Sequence, residues 1–177
     1  INPCVFSYSE KNADMLRDFF LETAKRRGYN PEFTNHLIIE RENYIIAAVM
    51  DESINDEPLV FTGVFADMFS PDFEVITEKI VYPNDKAMLF DLNKIKNDFE
   101  IIGTSVRIDA AEISDSRAIL DISGAKMRTA NIRLRLPFIP SKATLDGKEV
   151  NVAYEKTGNT ALVTFSNVTG FRKLIIE

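Results

Sequence analysis

The sequence reads as a mainly β protein: an antiparallel two-sheet β-sandwich with one N-terminal α-helix. From about Pro31 to the C-terminus, apolar residues alternate with polar ones at the period of a strand. Turn clusters interrupt this alternation roughly every 8–12 residues, the rhythm of sandwiches and barrels. Only one segment, close to the N-terminus, has a helical period. A parallel α/β sheet needs a helix between successive strands, and no further helices are visible.

The helix is expected from Ser9 to Arg27. Ser9 is a suitable N-cap, because its hydroxyl can accept from a free amide of the first turn. Met15, Leu16, Phe19, Phe20 and Ala24 form an apolar stripe that is expected to bury against a sheet or an adjoining domain. Lys25, Arg26 and Arg27 suit the negative end of the helix, Gly28 the stop, and Pro31 forbids continuation. A short strand, "CVFS", precedes the helix. Residues 1–33 therefore read as a strand–helix lead, either the end of a preceding α/β domain or a cap on the sandwich, and residues 34–177 as the sandwich itself.

Beyond residue 33 each element follows from pattern. "HLIIERENYIIAAVM" is two apolar runs around Glu40 to Asn43, a hairpin. "LVFTGVFADMF" and "FEVITEKIVY" are divided by Ser70 and Pro71, and Pro83, Asn84 and Asp85 make the turn before "AMLFDL". "IIGTSVRIDAAEI", "RAILDIS", "TANIRLRLP" and "KATL" continue the pattern, and "EVNVAY", "TALVTF" and "FRKLIIE" close it. Asp146-Gly147 is a two-residue turn that accepts positive φ and matches the twist of an antiparallel hairpin.

Composition restricts function. Apolar residues make up 45% of the 177 and charged residues 27%, an ordinary globular balance. A net charge of −6 argues against a nucleic-acid partner, which needs a basic face. The arginines between Arg128 and Arg135 alternate with Ile132, Leu134 and Leu136, and read as the solvated face of a strand. No apolar run approaches the length of a membrane span. No targeting segment is recognisable, which leaves the bacterial cytoplasm and secretion both open. The start at "INPCVFSYSE" reads as the middle of a longer polypeptide, or as the start left by a removed leader.

Few residues suit chemistry. One cysteine, Cys4, and one histidine, His36, leave no internal disulfide and no histidine-rich metal site; a buried thiol and a satisfied histidine are the plainer reading of the two. No Gly-x-Ser-x-Gly elbow and no glycine-rich phosphate loop occur, and no cofactor is expected. Asp51, Glu52, Asp56 and Glu57 share an acidic loop of the kind hard cations prefer, without the spacing of an EF-hand. Asp67 and Asp72 lie among Phe61, Phe65, Phe69 and Phe73, where burial could raise an acid's pKa for glycosidase-like work. The four phenylalanines read more simply as core. Arg107 sits in an apolar run and needs a carboxylate, with Asp109, Asp121 and Asp91 as candidates. Asn167-Val168-Thr169 is a glycosylation sequon.

Several stretches resemble the C-terminal β-domains that follow catalytic domains in bacterial glycoside hydrolases. In "RLRLPFIPSKATLDGKEV" a basic–apolar strand ends at proline and leads into an Asp-Gly hairpin, and "TALVTFSNVTGFRKLIIE" is similar to the closing strand pair of those domains. "YSEKNADML", Tyr8 to Leu16, looks like the helix that ends an α/β domain before such a sandwich, and "NYIIAAVMDES" with "FTGVFADMFSPDFEVI" looks like its opening strands. The resemblance carries no catalytic motif. It implies a non-catalytic accessory domain that packs on and stabilises a neighbouring catalytic domain of the same polypeptide. The alternatives are a carbohydrate-binding module and a cell-surface adhesion-type sandwich. For sugar binding, Tyr29, Tyr44, Tyr82 and Tyr154 are the available aromatic platforms, since Trp is absent.

Overall fold

The computed structural model describes residues 10–32, 34–50, 57–124, 129–166 and 169–177. Ser9, Cys4 and "CVFS", the acidic residues Asp51, Glu52 and Asp56, Arg128, and Asn167 and Val168 of the sequon lie outside the described residues. The chain divides into two units, Ile1–Thr34 and Asn35–Glu177.

The first unit holds α1 (Glu10–Arg26). Asp14 pairs with Arg17 at 2.9 Å and Glu22 with Arg26 at 3.3 Å, at the spacings that bring helical side chains together. The helix stops because Gly28 takes φ +81°. The Gly28 N–H then donates to Lys25 O and the Tyr29 N–H to Ala24 O, which satisfies two of the orphan carbonyls. Met15, Phe19 and Phe20 on this helix are exposed.

The second unit is built from two antiparallel sheets. Together with α1 they make the chain mainly β with one helix, as the alternation predicts. The first sheet contains β1 (His36–Arg41), β2 (Tyr44–Val49), β3 (Leu59–Asp67), β4 (Val75–Val81) and β5 (Lys86–Asp91), in the order β1-β2-β5-β3-β4. The second contains β6 (Glu100–Thr104), β7 (Arg107–Ile113), β8 (Ala118–Gly124), β9 (Ala130–Arg135), β10 (Ala143–Leu145), β11 (Lys148–Glu155), β12 (Thr160–Phe165) and β13 (Gly170–Ile176). Their order is β6-β9-β12-β11-β10-β13-β8-β7.

That order forces the second sheet to curl. β6 and β7 are consecutive in sequence yet occupy opposite edges. Only Ser105 and Val106 join them, so Thr104 and Arg107 lie within roughly 10 Å. "IIGTSVRIDAAEI" is thus two strands rather than one continuous run. The sheet becomes nearly barrel-shaped and encloses its own core, which includes Leu120, Ile122, Ile132, Leu134, Val163, Leu174 and Ile176. The Asp146-Gly147 turn joins β10 to β11 with φ of +49° and +80°, the positive pair that a two-residue hairpin turn needs.

The first sheet has a separate core of Ile45, Val49, Phe65, Val81, Ala87 and Leu89. A third cluster joins the sheets: Ala66 and Phe90 from the first, Leu92 and Ile95 from the connection, and Ile102 from β6. Of the four expected core phenylalanines, Phe65 is buried and Phe61 packs on the first core, but Phe69 is 56% exposed at the turn after β3. Asp67 stops the strand there, and the chain turns before Phe69 can reach a sheet.

Candidate functional site

The most elaborated polar region lies on the outer face of β9. The strand is buried along both faces. Ala130, Ile132 and Leu134 point into the barrel-like core, so Asn131, Arg133 and Arg135 project from the opposite side. Asn131 Nδ2 donates to Pro71 O at 2.9 Å, and its Oδ1 accepts from the Thr164 hydroxyl at 2.8 Å. Arg133 donates through Nε and Nη2 to Asp72 O, and through Nη1 to Thr160 Oγ1 at 2.9 Å.

These bonds pin the β3–β4 turn of one sheet against the other. Two glycines permit the approach. A Cβ on Gly103 would come within 2.7 Å of the Phe73 ring, and one on Gly158 within 2.7 Å of Leu92 Cδ1. The expectation of a solvated arginine face is corrected at Arg133, which is only 5% exposed. Its alternation with apolar residues was legible; the covering turn comes from 60 residues away in sequence. Burial lowers the Arg133 pKa from its usual value, opposed by the nearby charges of Asp72, Glu155 and Glu74. On the β11–β12 turn, the Thr157 N–H holds the Glu155 carboxyl below the usual range, helped by the Thr157 side chain and the Arg133 charge.

Next to this seam, at the end of β9, lies a groove of about 430 Å³. Its walls include Arg135, Phe138, Ile139, Tyr154 and Asn159, with Lys96 and Asp98 from the β5–β6 connection. The Tyr154 hydroxyl donates to Asn159 Oδ1 at 2.5 Å. Arg135 donates to Gly158 O at 3.2 Å and to Ile95 O at 3.5 Å, while its buried Nε has no partner.

The predicted catalytic acids hold separate posts. Asp67 is buried, accepts from Lys79 Nζ at 2.6 Å and caps the Phe69 N–H at 2.9 Å. Asp72 turns its backbone carbonyl to Arg133, while its exposed carboxylate accepts from the Ser70 hydroxyl. Each is used by the β3–β4 turn.

The three tyrosines of the larger unit, Tyr44, Tyr82 and Tyr154, form no common platform. Tyr29 follows α1 in the other unit. Tyr44 packs edge-on against Phe90 with ring centroids 5.0 Å apart, and burial raises its pKa, helped by the Glu100 and Glu42 charges. Tyr82 lies at the opposite end of the first sheet, since Tyr44 pairs with Phe90 whereas Tyr82 precedes β5. Tyr154 alone lines the groove. Of the acidic loop only Glu57 is described; its carbonyl accepts from Asn35 Nδ2 at 2.8 Å. Among the described residues, no three metal-ligating side chains converge.

His36 is half-buried on β1, with Nδ1 3.0 Å from Asn35 Oδ1. Arg107 pairs with Asp109 at 2.7 Å on the open face of β7, so of its three candidate partners the nearest in sequence is the one used. Asp121 instead meets Lys173 at 3.6 Å, and Asp91 caps the 3-10 turn at Leu92–Lys94 through the Asn93 N–H. Among the described residues no helix is long and apolar enough to cross a membrane.

Comparison with protein-family models and with curated proteins finds no match.

Proposed function

We propose that this chain is a non-catalytic accessory module of a larger carbohydrate-active, glycoside hydrolase-like protein, and that it packs on and stabilises a catalytic neighbour in the same polypeptide. The observation that carries the packing role is the outer face of the β1–β2 hairpin. Leu37 pairs with Ala48, and Ile39 with Ile46, so these side chains share one side of the sheet. Leu37, Ile39 and Ile46 are 55%, 48% and 44% exposed, although the opposite side of β2 is already buried through Ile45, Ala47 and Val49. Strands apolar on both faces belong to sheets covered on both faces. Toward Tyr44 the same side is covered by the cluster around Phe90; toward Leu37 it is bare.

The carbohydrate link and the description of residues 34–177 as a two-sheet sandwich both rest on the sequence. The structural employment of Asp67 and Asp72 supports the non-catalytic part. Hydroxyl-radical footprinting tests the packing. Leu37, Ile39 and Ile46 should label strongly in the 177-residue chain and be protected in a longer polypeptide that carries the neighbour. Equal labelling in both would overturn it. The isolated chain should show no turnover of chromogenic glycosides.

One observation favours the carbohydrate-binding alternative. Tyr154 lines the groove beside β9, next to Asn159 and the exposed Ile139.

A further inference from the structure

The groove beside β9 holds two cations that make no ion pair with the described residues. Among the described residues, neither Arg135 nor Lys96 has a carboxylate at ion-pair distance. Arg135 satisfies its guanidinium only with two backbone carbonyls, and leaves Nε buried without an acceptor. A native buried donor without a partner calls for an explanation, and a half-buried cation facing neutral carbonyls is under-compensated. The longer of the two bonds, 3.5 Å from Nη1 to Ile95 O, is at the limit of hydrogen bonding. Nη1 is therefore the group that an incoming oxygen can take over at least cost. Two carboxylates stand near these cations without pairing with them: Asp98 lines the groove, and Glu100, opposite Arg135 in the β6–β9 register, accepts instead from Asn97 Nδ2 at 3.5 Å.

The remaining walls are of a different kind. Phe138 packs on the barrel-like core, Ile139 is 69% exposed, and Tyr154 is held by its bond to Asn159. Because Asn159 Oδ1 is occupied by that bond, its amide nitrogen is the part left to donate to a ligand. The groove thus offers an apolar wall, a neutral donor and two cations that no described carboxylate engages directly. Its volume falls within the usual range for small-molecule sites.

We propose that this groove binds a carboxylate carried on an apolar-faced ring, with the carboxylate at Arg135 and Lys96 and the ring against Tyr154, Phe138 and Ile139. Two sources share that chemistry: a uronic-acid residue of a saccharide and a free alicyclic acid. The inference stands apart from the packing role above.

The test is a ¹H–¹⁵N titration of the 177-residue chain, observing backbone amides and the arginine Nε–H signals. The probes are a galacturonic-acid oligomer, cyclohexanecarboxylate, and their neutral counterparts, a galactose oligomer and cyclohexylmethanol. At least one carboxylate should shift the Arg135 Nε–H and the amides of Tyr154 and Asn159, with the neutral probes binding at least about tenfold more weakly. Lys96→Gln, at an exposed position, should weaken carboxylate binding roughly fivefold or more while shifting free-protein amide signals only close to residue 96.

Binding of the uronide identifies the source as a saccharide. Binding of cyclohexanecarboxylate alone supports the groove and counts against a carbohydrate role for it. Neutral probes that bind as tightly, shifts confined to other regions, or no shift with either acid would overturn the inference. None of these three outcomes touches the packing reading, which footprinting tests separately.

Discussion

The two sheets of the larger unit solve one problem in different ways. The eight-stranded sheet folds round so that β6 and β7 meet at a two-residue corner, and its inward residues bury one another. The five-stranded sheet keeps a smaller core and leaves Leu37, Ile39 and Ile46 on its outer side in water. Closure lets a sheet provide its own cover, whereas an open sheet needs a second layer. One end of that cover comes from the Phe90 cluster. The other end is bare, and on it the proposed packing role rests.

Substitutions in the closed core should have the greatest effect. Leu120 and Leu174 are fully buried inside the curled sheet, so Leu120→Ala or Leu174→Ala should destabilise the protein by about 2–5 kcal/mol in urea unfolding. Ile46→Ala on the open face should change stability by less than about 0.5 kcal/mol. Similar costs at both places would mean that the open face is covered in solution.

The junction is next. Arg133→Met removes the bonds to Asp72 O and Thr160 Oγ1, and should cost about 1.5–3 kcal/mol, the range for hydrogen bonds to a charged group. Because the Asp72 bonds cross between the sheets, unfolding of the variant should separate into two transitions or show a reduced m-value. A single transition with an unchanged m-value would show that the apolar cluster around Ile102 suffices to couple them.

A smaller effect is expected at the β10–β11 turn. Gly147→Ala places a Cβ at φ +80°, where open space surrounds it, so the cost is backbone strain alone, about 1–2 kcal/mol. A markedly larger loss would mean that the hairpin register depends on this turn.

The smallest effect is electrostatic. The Lys173 N–H, and then the Arg172 side chain, hold the Asp146 carboxyl below its usual pKa. A depressed folded-state pKa gives stability that is present above the unfolded value, near 4, and lost as pH falls through the lower folded value. Asp146→Asn should therefore flatten the stability–pH curve on the acid side. An unaltered acid limb would show that this exposed pairing is screened by solvent.

Local pattern alone determined the helix and its stop at Gly28, the strands, and the Asp146-Gly147 hairpin. Each depends on spacing or backbone freedom within a few residues, which a sequence displays directly. It also offered Tyr154, and the alternation that sets Asn131, Arg133 and Arg135 on one side of β9. What that side faces was decided elsewhere. Pro71 and Asp72 reach Asn131 and Arg133 across some 60 residues of chain, and the groove gathers residues from 96 to 159. That long-range contact converts a solvated strand face into a buried seam, the curl of the second sheet splits "IIGTSVRIDAAEI" between its two edges, and the β3–β4 turn leaves Phe69 in water while Phe65 is buried. Strand periodicity specifies which side chains share a face; only the path of the chain in space determines what that face meets.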